Sequence, residues 1–372
     1  MKIVNGAYAS AHIFTDAVED YAVAQIQQLC DNESMKGCKI RVMPDVHPGK
    51  VGMIGFTSTL GEKVLPNVIG IDIGCGITLA KIKQKKVEFQ KLDKVIRENI
   101  PSGFASRKKN HRFSEEFDFT RLHCGKAVNV AKAKASIGTL GSGNHFIELD
   151  KDEEGNLYVA IHSGSRHFGK EVTEYYLNEG QKYLKVQGID VSYEMTYLEG
   201  EVKDAYLADL QVVQEFAELN RKAMLDELAK GMKWKIEEEY SVIHNYVDFS
   251  GTEPILRKGA ISAKQGETVV IPINMADGIL IGKGLGNEEW NFSAPHGSGR
   301  KMNRESVRNH YTVSQFKIEM KGIYSSCIGK DILDEAPFAY RRLEEIKEEI
   351  ADTVQIKKHI VPIYNFKAGN EK

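Results

Sequence analysis

The sequence predicts an α/β fold of the mixed α+β kind. Segments with helical periodicity, around 15–29, 202–230 and 313–320, alternate along the chain with short apolar runs such as 40–43, 157–161 and 360–367 that read as strands. A hydrophobic fraction of 42% beside a charged fraction of 27% is that of a globular chain, and 372 residues suffice for one large domain or two ordinary ones. Neither an internal repeat nor a low-complexity linker divides them.

Composition excludes several classes. No apolar run approaches the ~20 residues of a membrane-spanning helix, and Met1–Ser10 lacks the basic-then-apolar pattern of a secretory signal. Cys30, Cys38, Cys75, Cys124 and Cys327 are an odd, scattered set, which argues against a disulfide framework and for a reducing, cytoplasmic setting. A net charge of -2 gives the whole chain no bulk attraction for nucleic acid. Two basic clusters, Lys81, Lys83, Lys85 and Lys86, then Arg107, Lys108, Lys109 and Arg112, each read as a solvated face when taken alone.

Taken in order, Thr15 to Leu29 is expected to be a helix capped by Thr15 or Asp16, with Val18, Tyr21, Ala22, Ile26 and Leu29 on its apolar face. Ile40–Met43 reads as a strand that runs into Pro44-Asp45-Val46-His47-Pro48-Gly49-Lys50, a rigid loop by its two prolines and glycine. Gly70-Ile71-Asp72-Ile73-Gly74-Cys75-Gly76-Ile77 follows. Its glycines permit a turn that aims Asp72 and Cys75 at one point, and a carboxylate converging with a thiol suits a divalent metal. A glycine-rich turn with a buried free Cys is the bland alternative. Thr78–Ala80 is expected to be a strand, and 91–134 a mixture of helix and loop.

The next stretch is more informative. Gly141-Ser142-Gly143-Asn144-His145 leads into a strand, Lys151–Asn156 with Gly155 makes a hairpin connection, and Leu157–Ile161 returns to His162-Ser163-Gly164-Ser165-Arg166. Folding about Glu153-Glu154 sets His145 roughly opposite His162 at the open end of one antiparallel pair, which is ligand geometry. A long amphipathic helix is expected over 202–230. His244 follows in another apolar segment, and Arg257-Lys258-Gly259-Ala260 reads as a small basic turn, suited to phosphate but equally to solvent. The glycine-rich 271–286 matches neither a Walker loop nor a dinucleotide fingerprint. In Pro295-His296-Gly297-Ser298-Gly299-Arg300 a histidine stands among backbone N–H groups and an arginine that suit phosphate. His296 there is a phosphoryl-accepting nucleophile, a further metal ligand or part of a structural turn. Short helices over 313–320 and from Asp334-Glu335-Ala336-Pro337 to about 350, then a strand over 360–367, close the chain.

Together these residues resemble the RtcB family of RNA ligases. Seven motifs carry the resemblance in order: 44–49, 72–76, 143–145, 162–166, 244–245, 257–260 and 296–300. It implies one α/β domain over 1–372, built around a central metal and nucleotide cleft. It also implies a GTP-dependent reaction with two manganese ions that joins an RNA 3′-phosphate or 2′,3′-cyclic phosphate to a 5′-hydroxyl, in RNA repair or tRNA splicing. By the resemblance Cys75 bridges the metals, His145 and His162 complete one site, and Asp72 and His244 complete the other. His296 is then the nucleophile that carries GMP, and Asp45 orients its imidazole. Asn144 and Arg166 become candidates for phosphate, Glu148 and Lys367 for the guanylate, with Arg300 also on the nucleotide. RNA ends are the implied partner, with an archease-like activator as used by some members.

Residue chemistry alone favours zinc at such a thiolate–imidazole site, so manganese comes from the resemblance. Two stretches depart from the family pattern: Gly297-Ser298, where a Gly-Ala pair is common, and Ile273–Gly278, where many members have a Gly-Ser-Met-Gly type of loop. The competing readings are a binuclear phosphoesterase and an RNA-end-binding protein without turnover. A covalent nucleotide on His296 separates the first from a ligase, and metal-free RNA binding without GMP transfer would mark the second.

Overall fold

The structure, a computed structural model, describes residues 1–368. It opens with β1 (Lys2–Asn5), β2 (Ser10–Ile13), α1 (Asp20–Cys30), β3 (Ile40–His47), β4 (Ile54–Thr59), α2 (Pro66–Ile69) and β5 (Gly76–Ile82). The middle holds α3 (Phe89–Asn99), α4 (Val130–Ser136), β6 (Phe146–Lys151), β7 (Leu157–Ser163) and two long helices, α5 (Arg166–Val186) and α6 (Gly200–Met232). Then come β8 (Ile236–Ile243), β9 (Asn245–Asp248), β10 (Ile255–Lys258), β11 (Ala260–Ser262), β12 (Thr268–Asn274), β13 (Gly278–Gly284) and β14 (Ser293–Pro295). The chain ends with α7 (Arg304–His310), α8 (Val313–Glu319), α9 (Leu343–Glu349) and β15 (Val354–Phe366). The mixed α/β class expected from the sequence is the one observed. Among the described residues, no helix is long and apolar enough to cross a membrane.

Two sheets carry the fold. One has seven strands in the order β12-β13-β15-β6-β7-β5-β8, the other six in the order β1-β2-β3-β4-β10-β9, and β11 pairs separately with β14. One face of the seven-stranded sheet packs Ile147, Leu149, Val159 and Ile161 against Leu92 and Ile96 of α3 and Met224 and Leu228 of α6. Each such fully buried aliphatic side chain is worth roughly 1.5–3 kcal/mol against exposure. On the other face Ile77, Leu79, Tyr158, Ala160, Val270, Ile279 and Ile360 meet in a single cluster, so strands from both halves of the sheet curl toward one another. Both faces being covered explains why β7 is buried at every position and reads as an unbroken apolar run.

The sheets meet at one residue. β8 ends at Ile243 and β9 begins at Asn245, so His244 alone spans the step from one sheet to the other. At that same end Gly76 of β5 pairs with both Ser163 of β7 and Ile243 of β8. Cys75, His162 and His244 are therefore neighbours by register.

Several local expectations are corrected. α1 starts at Asp20 rather than Thr15: the Thr15 hydroxyl donates to Glu349 (2.6 Å) and accepts from Ala17 N–H (3.1 Å) in a turn ahead of the helix, and Tyr21 faces solvent instead of the core. Pro44 to His47 belong to β3 and not to a loop; the register shifts between Val42 and His47, and such an irregularity accommodates a proline in a strand. The helix expected from Asp334 is two 3₁₀ turns, Lys330–Glu335 and Pro337–Ala339, with α9 only from Leu343, since Pro337 cannot continue a helix begun before it. Arg257-Lys258 is no solvated turn: Arg257 is fully buried at the end of β10, donating to Asp248 (2.9 Å), the Tyr246 hydroxyl (3.0 Å) and Ser293 (2.9 Å). In the other basic clusters Lys81, Arg107 and Arg112 are ion-paired, with Glu238, Glu227 and Asp226, while Lys83, Lys85, Lys86, Lys108 and Lys109 are exposed, as a solvated face requires.

Candidate active site

Four strand ends and one glycine turn deliver five electron-pair donors to one place. Cys75 precedes β5, His162 is the penultimate residue of β7, and His244 links β8 to β9. His145 precedes β6, where the register sets Phe146 opposite His162, one residue off the pairing expected from the sequence. The imidazoles nonetheless meet: His145 and His162 have ring centroids 5.4 Å apart, His162 and His244 5.1 Å, and His244 and His296 4.7 Å. Asp72 is brought in by the glycine turn, where Ser165 N–H donates to its Oδ1 (3.0 Å). A Cβ on Gly164 would lie 2.2 Å from that oxygen, so glycine is required there by the close approach of the carboxylate.

The donor atoms fall into two overlapping triples, Cys75–His162–His244 and Asp72–Cys75–His145, each with all atoms within 4.8 Å of one another. Cys75 is common to both. The division differs from the one implied by the family resemblance: His162 groups with His244, and His145 with Asp72.

The electrostatics ask for a cation. His145 Nδ1 is 2.8 Å from the Leu140 carbonyl, which places a proton on Nδ1 and a lone pair on Nε2. That Nε2 faces Asp72 Oδ2 at 3.1 Å and Cys75 Sγ at 3.5 Å. Burial tends to raise the Asp72 carboxyl, but the neighbouring His145 and Arg166 outweigh it and hold Asp72 below the usual carboxylate range. Burial keeps His162 and His244 neutral, and so able to ligate. Burial and the neighbouring Asp72 push the Cys75 thiol up, so it is a bound cation that would draw out the thiolate. A thiol, three imidazoles and a carboxylate, desolvated and mutually close, fit a pair of divalent transition-metal ions.

His296 stands at the end of this row of rings. Its Nδ1 is 2.6 Å from Asp45 Oδ2, and its backbone N–H donates to the same oxygen (3.2 Å). Asp45 is fully buried. Gly299 makes the approach of the two segments possible: its φ is +77°, and a Cβ there would sit 2.9 Å from Asp45 Cα. The Ser298 hydroxyl donates to the Ile273 carbonyl (2.7 Å), so the two departures from the family pattern are bonded to each other.

Beside His296 opens a pocket lined by Asn144, Glu148, His162, Arg300 and Lys367, among others. Of the residues singled out in the sequence, Arg166 alone among the nucleotide candidates stands apart from it, against Gly103 (3.2 Å), Thr139 (3.3 Å) and His145. Arg300 lines the pocket, but its guanidinium is committed to the carbonyls of Asp334 (2.6 Å) and Met302 (3.2 Å) and to the Tyr340 hydroxyl (3.2 Å). Lys367 pairs with Glu335 at 2.8 Å.

Sequence reasoning missed Glu335, Arg304, Tyr340 and Asn365, which line the same pocket. Burial would raise Glu335, but Lys367, Arg304 and Arg300 bring it down to about 2. No motif announces it, because it lies in an irregular 3₁₀ turn far along the chain from its partners. His47, read from the sequence as an ordinary turn residue, also lines the pocket; its Nδ1 donates to the Asp45 carbonyl (2.9 Å) and burial lowers it to about 4.

Comparison with known proteins adds a second line. The family described as tRNA-splicing ligase RtcB matches residues 28–131 and 123–368. The chain is 30% identical to the RNA-splicing ligase RtcB of Escherichia coli (strain K12), over 85% of this chain and 87% of that one. It is 27% identical to the tRNA-splicing ligase RtcB of Nanoarchaeum equitans, over 93% and 91%. It is 28% identical to the tRNA-splicing ligase RtcB of Archaeoglobus fulgidus, over 88% and 86%.

Proposed function

The chain belongs to the RtcB family, and from that membership we propose that it is an RNA ligase of the cytoplasm, acting in RNA repair or tRNA splicing. It joins a 3′-phosphate or 2′,3′-cyclic phosphate to a 5′-hydroxyl, using GTP and manganese, and 1–372 works as one catalytic domain. The observation that carries this reading is His296: a histidine held by a buried carboxylate, at the mouth of a pocket, one ring away from a cluster of metal-competent donors.

Asp45 accepts the Nδ1 proton and so leaves the Nε2 lone pair for attack. Nε2 attacks the α-phosphorus of GTP; the N–P bond forms and pyrophosphate leaves. An oxygen of the RNA 3′-phosphate then displaces Nε2 from that phosphorus, which gives an activated end capped by GMP. The 5′-hydroxyl attacks the 3′-phosphorus, the phosphodiester forms and GMP departs. A cyclic phosphate is first opened by water. Asp72, Cys75, His145, His162 and His244 would hold the two manganese ions, which when bound neutralise charge on the attacking and leaving oxygens. Asn144 and Arg166 would meet phosphate, Glu148 and Lys367 the guanine. Arg300 would act by fixing the pocket wall.

The test is a ligation assay on an RNA with a 3′-phosphate and a 5′-hydroxyl, with GTP and Mn²⁺, with and without an archease-like activator. A joined product that needs GTP supports the reading. Loss of the terminal phosphate without joining would instead identify a phosphoesterase.

A further inference from the structure

Behind the pocket, inside the curled sheet, lie two carboxyls that the mechanism leaves unexplained. Glu148 and Asp150 are two apart on β6, so both point to the same face, the one lined by Ile77, Leu79, Tyr158 and Ile360. Glu148 is 3% exposed and borders the pocket; Asp150 is 0% exposed and does not reach it.

Among the described residues, neither oxygen of Asp150 receives a hydrogen bond. The Glu148 carboxyl lies within hydrogen-bonding reach of it. The groups that could offset a charge there are committed elsewhere. Tyr158, opposite Asp150 on β7, gives its hydroxyl to Asp152 (3.1 Å). Lys358 of β15 pairs with Asp152 (2.7 Å). Lys367, after β15, pairs with Glu335 (2.8 Å). Asn365 donates its amide to Glu148 Oε2 (2.6 Å), not to Asp150. Two carboxylates in contact in an apolar interior, where the neighbouring cation Lys367 is already paired with Glu335, do not both stay ionised.

We propose that Glu148 and Asp150 share one proton, and that Asp150 is the positioning residue that presents Glu148 to the pocket as a hydrogen-bond acceptor, selecting a nucleobase that offers N–H donors. Asp150 carries the proton and donates it to Glu148 from behind. Glu148 accepts that bond and the Asn365 amide, and turns its remaining lone pairs to the pocket. Such a face accepts the ring N–H and amino group of guanine and leaves adenine, whose matching ring nitrogen is itself an acceptor, unpaired. Burial pushes both carboxyls up, Glu148 to about 7, in keeping with a retained proton. The selection half rests on the ligase reading; the shared proton does not.

The test has a spectroscopic arm and a kinetic arm. Infrared difference spectra of wild type against Asp150→Asn at neutral pH are expected to show the carbonyl stretch of an un-ionised carboxylic acid in the wild type only. Its absence from the wild type, or its survival in Asp150→Asn, overturns the shared proton. In the kinetic arm, Asp150→Leu leaves Glu148 to take up the proton itself and to become a donor. Nucleotide-adduct formation with GTP is expected to fall by about ten- to a hundredfold relative to ATP, and Asp150→Asn, whose amide still donates, to restore the preference for GTP. An unchanged GTP-to-ATP ratio in a folded Asp150→Leu overturns the positioning role. A wild type that takes up no nucleotide at all removes the ligase reading and the selection with it, while the infrared result still decides the proton.

Discussion

Asp45 engages His296 twice through one oxygen: Oδ2 lies 2.6 Å from the imidazole Nδ1 and 3.2 Å from the backbone nitrogen. The contact fixes both the ring's tautomer and the position of its main chain, and it crosses 251 residues of sequence. Asp45→Asn keeps the shape but removes the charge that stabilises the protonated Nδ1. The rate of nucleotide transfer to His296 is expected to fall by about 10²- to 10⁴-fold, with metal content unchanged by elemental analysis. A loss under threefold would show that the carboxylate is a structural feature only.

Cys75 is the donor that both triples share. Elemental analysis of Cys75→Ala is therefore expected to show loss of both ions. His145→Ala should retain the ion held by Cys75, His162 and His244. If His145→Ala and His162→Ala instead lose the same ion, the division follows the family pattern and not the one read from the geometry. Metal should also stabilise the fold, by about 2.7 kcal/mol at a hundredfold excess over Kd; chelation then lowers Tm, and an unaltered Tm argues against a buried site.

Much of this site was legible in the sequence, and the reasons are specific. The nearness of His145 to His162 follows from the hairpin that turns at Gly155, whose φ is +79°, even though the register sets Phe146, the next residue, opposite His162. Cys75 and Asp72 are signalled by the glycines around them. His244 is different, because what makes it a site residue is its place at the step between two sheets, which no local pattern encodes. Pro44 hid a strand, since a proline reads as a turn unless the irregular register is known. Arg257 read as solvated because charge alone does not disclose a buried partner such as Asp248. Glu335 and Asp150 carry no motif, and their environments come entirely from long-range packing.

That burial of Arg257 yields its own prediction. Arg257→Ala leaves a cavity beside Asp248 and removes the buried one of its two cations, Lys264 keeping its contact (2.7 Å), so unfolding in urea should show a loss of up to about 3–5 kcal/mol. A variant that keeps wild-type stability but loses nucleotide affinity would restore the phosphate-binding role that the sequence left open.

The stability of the protein should also report the acid pair. Glu148 is raised to about 7 and Asp150 is raised further above its ordinary value, chiefly by burial. The folded state therefore holds more protons than the unfolded one above the ordinary carboxyl range near pH 4. The corresponding stability is complete below that range and is lost as pH rises through about 7, at up to roughly 1.4 kcal/mol per pH unit per extra proton. Chemical denaturation from pH 5 to 8 should show wild type losing stability relative to Asp150→Asn. Parallel curves would mean that no proton is retained.

The central claim is that His296 becomes covalently nucleotidylated, and intact mass spectrometry after incubation with GTP and Mn²⁺ tests it directly. The wild type is expected to gain the mass of one GMP, and His296→Ala to gain nothing while still binding metal. A folded, metal-loaded wild type that gains no mass, or a gain that persists in His296→Ala, would contradict it.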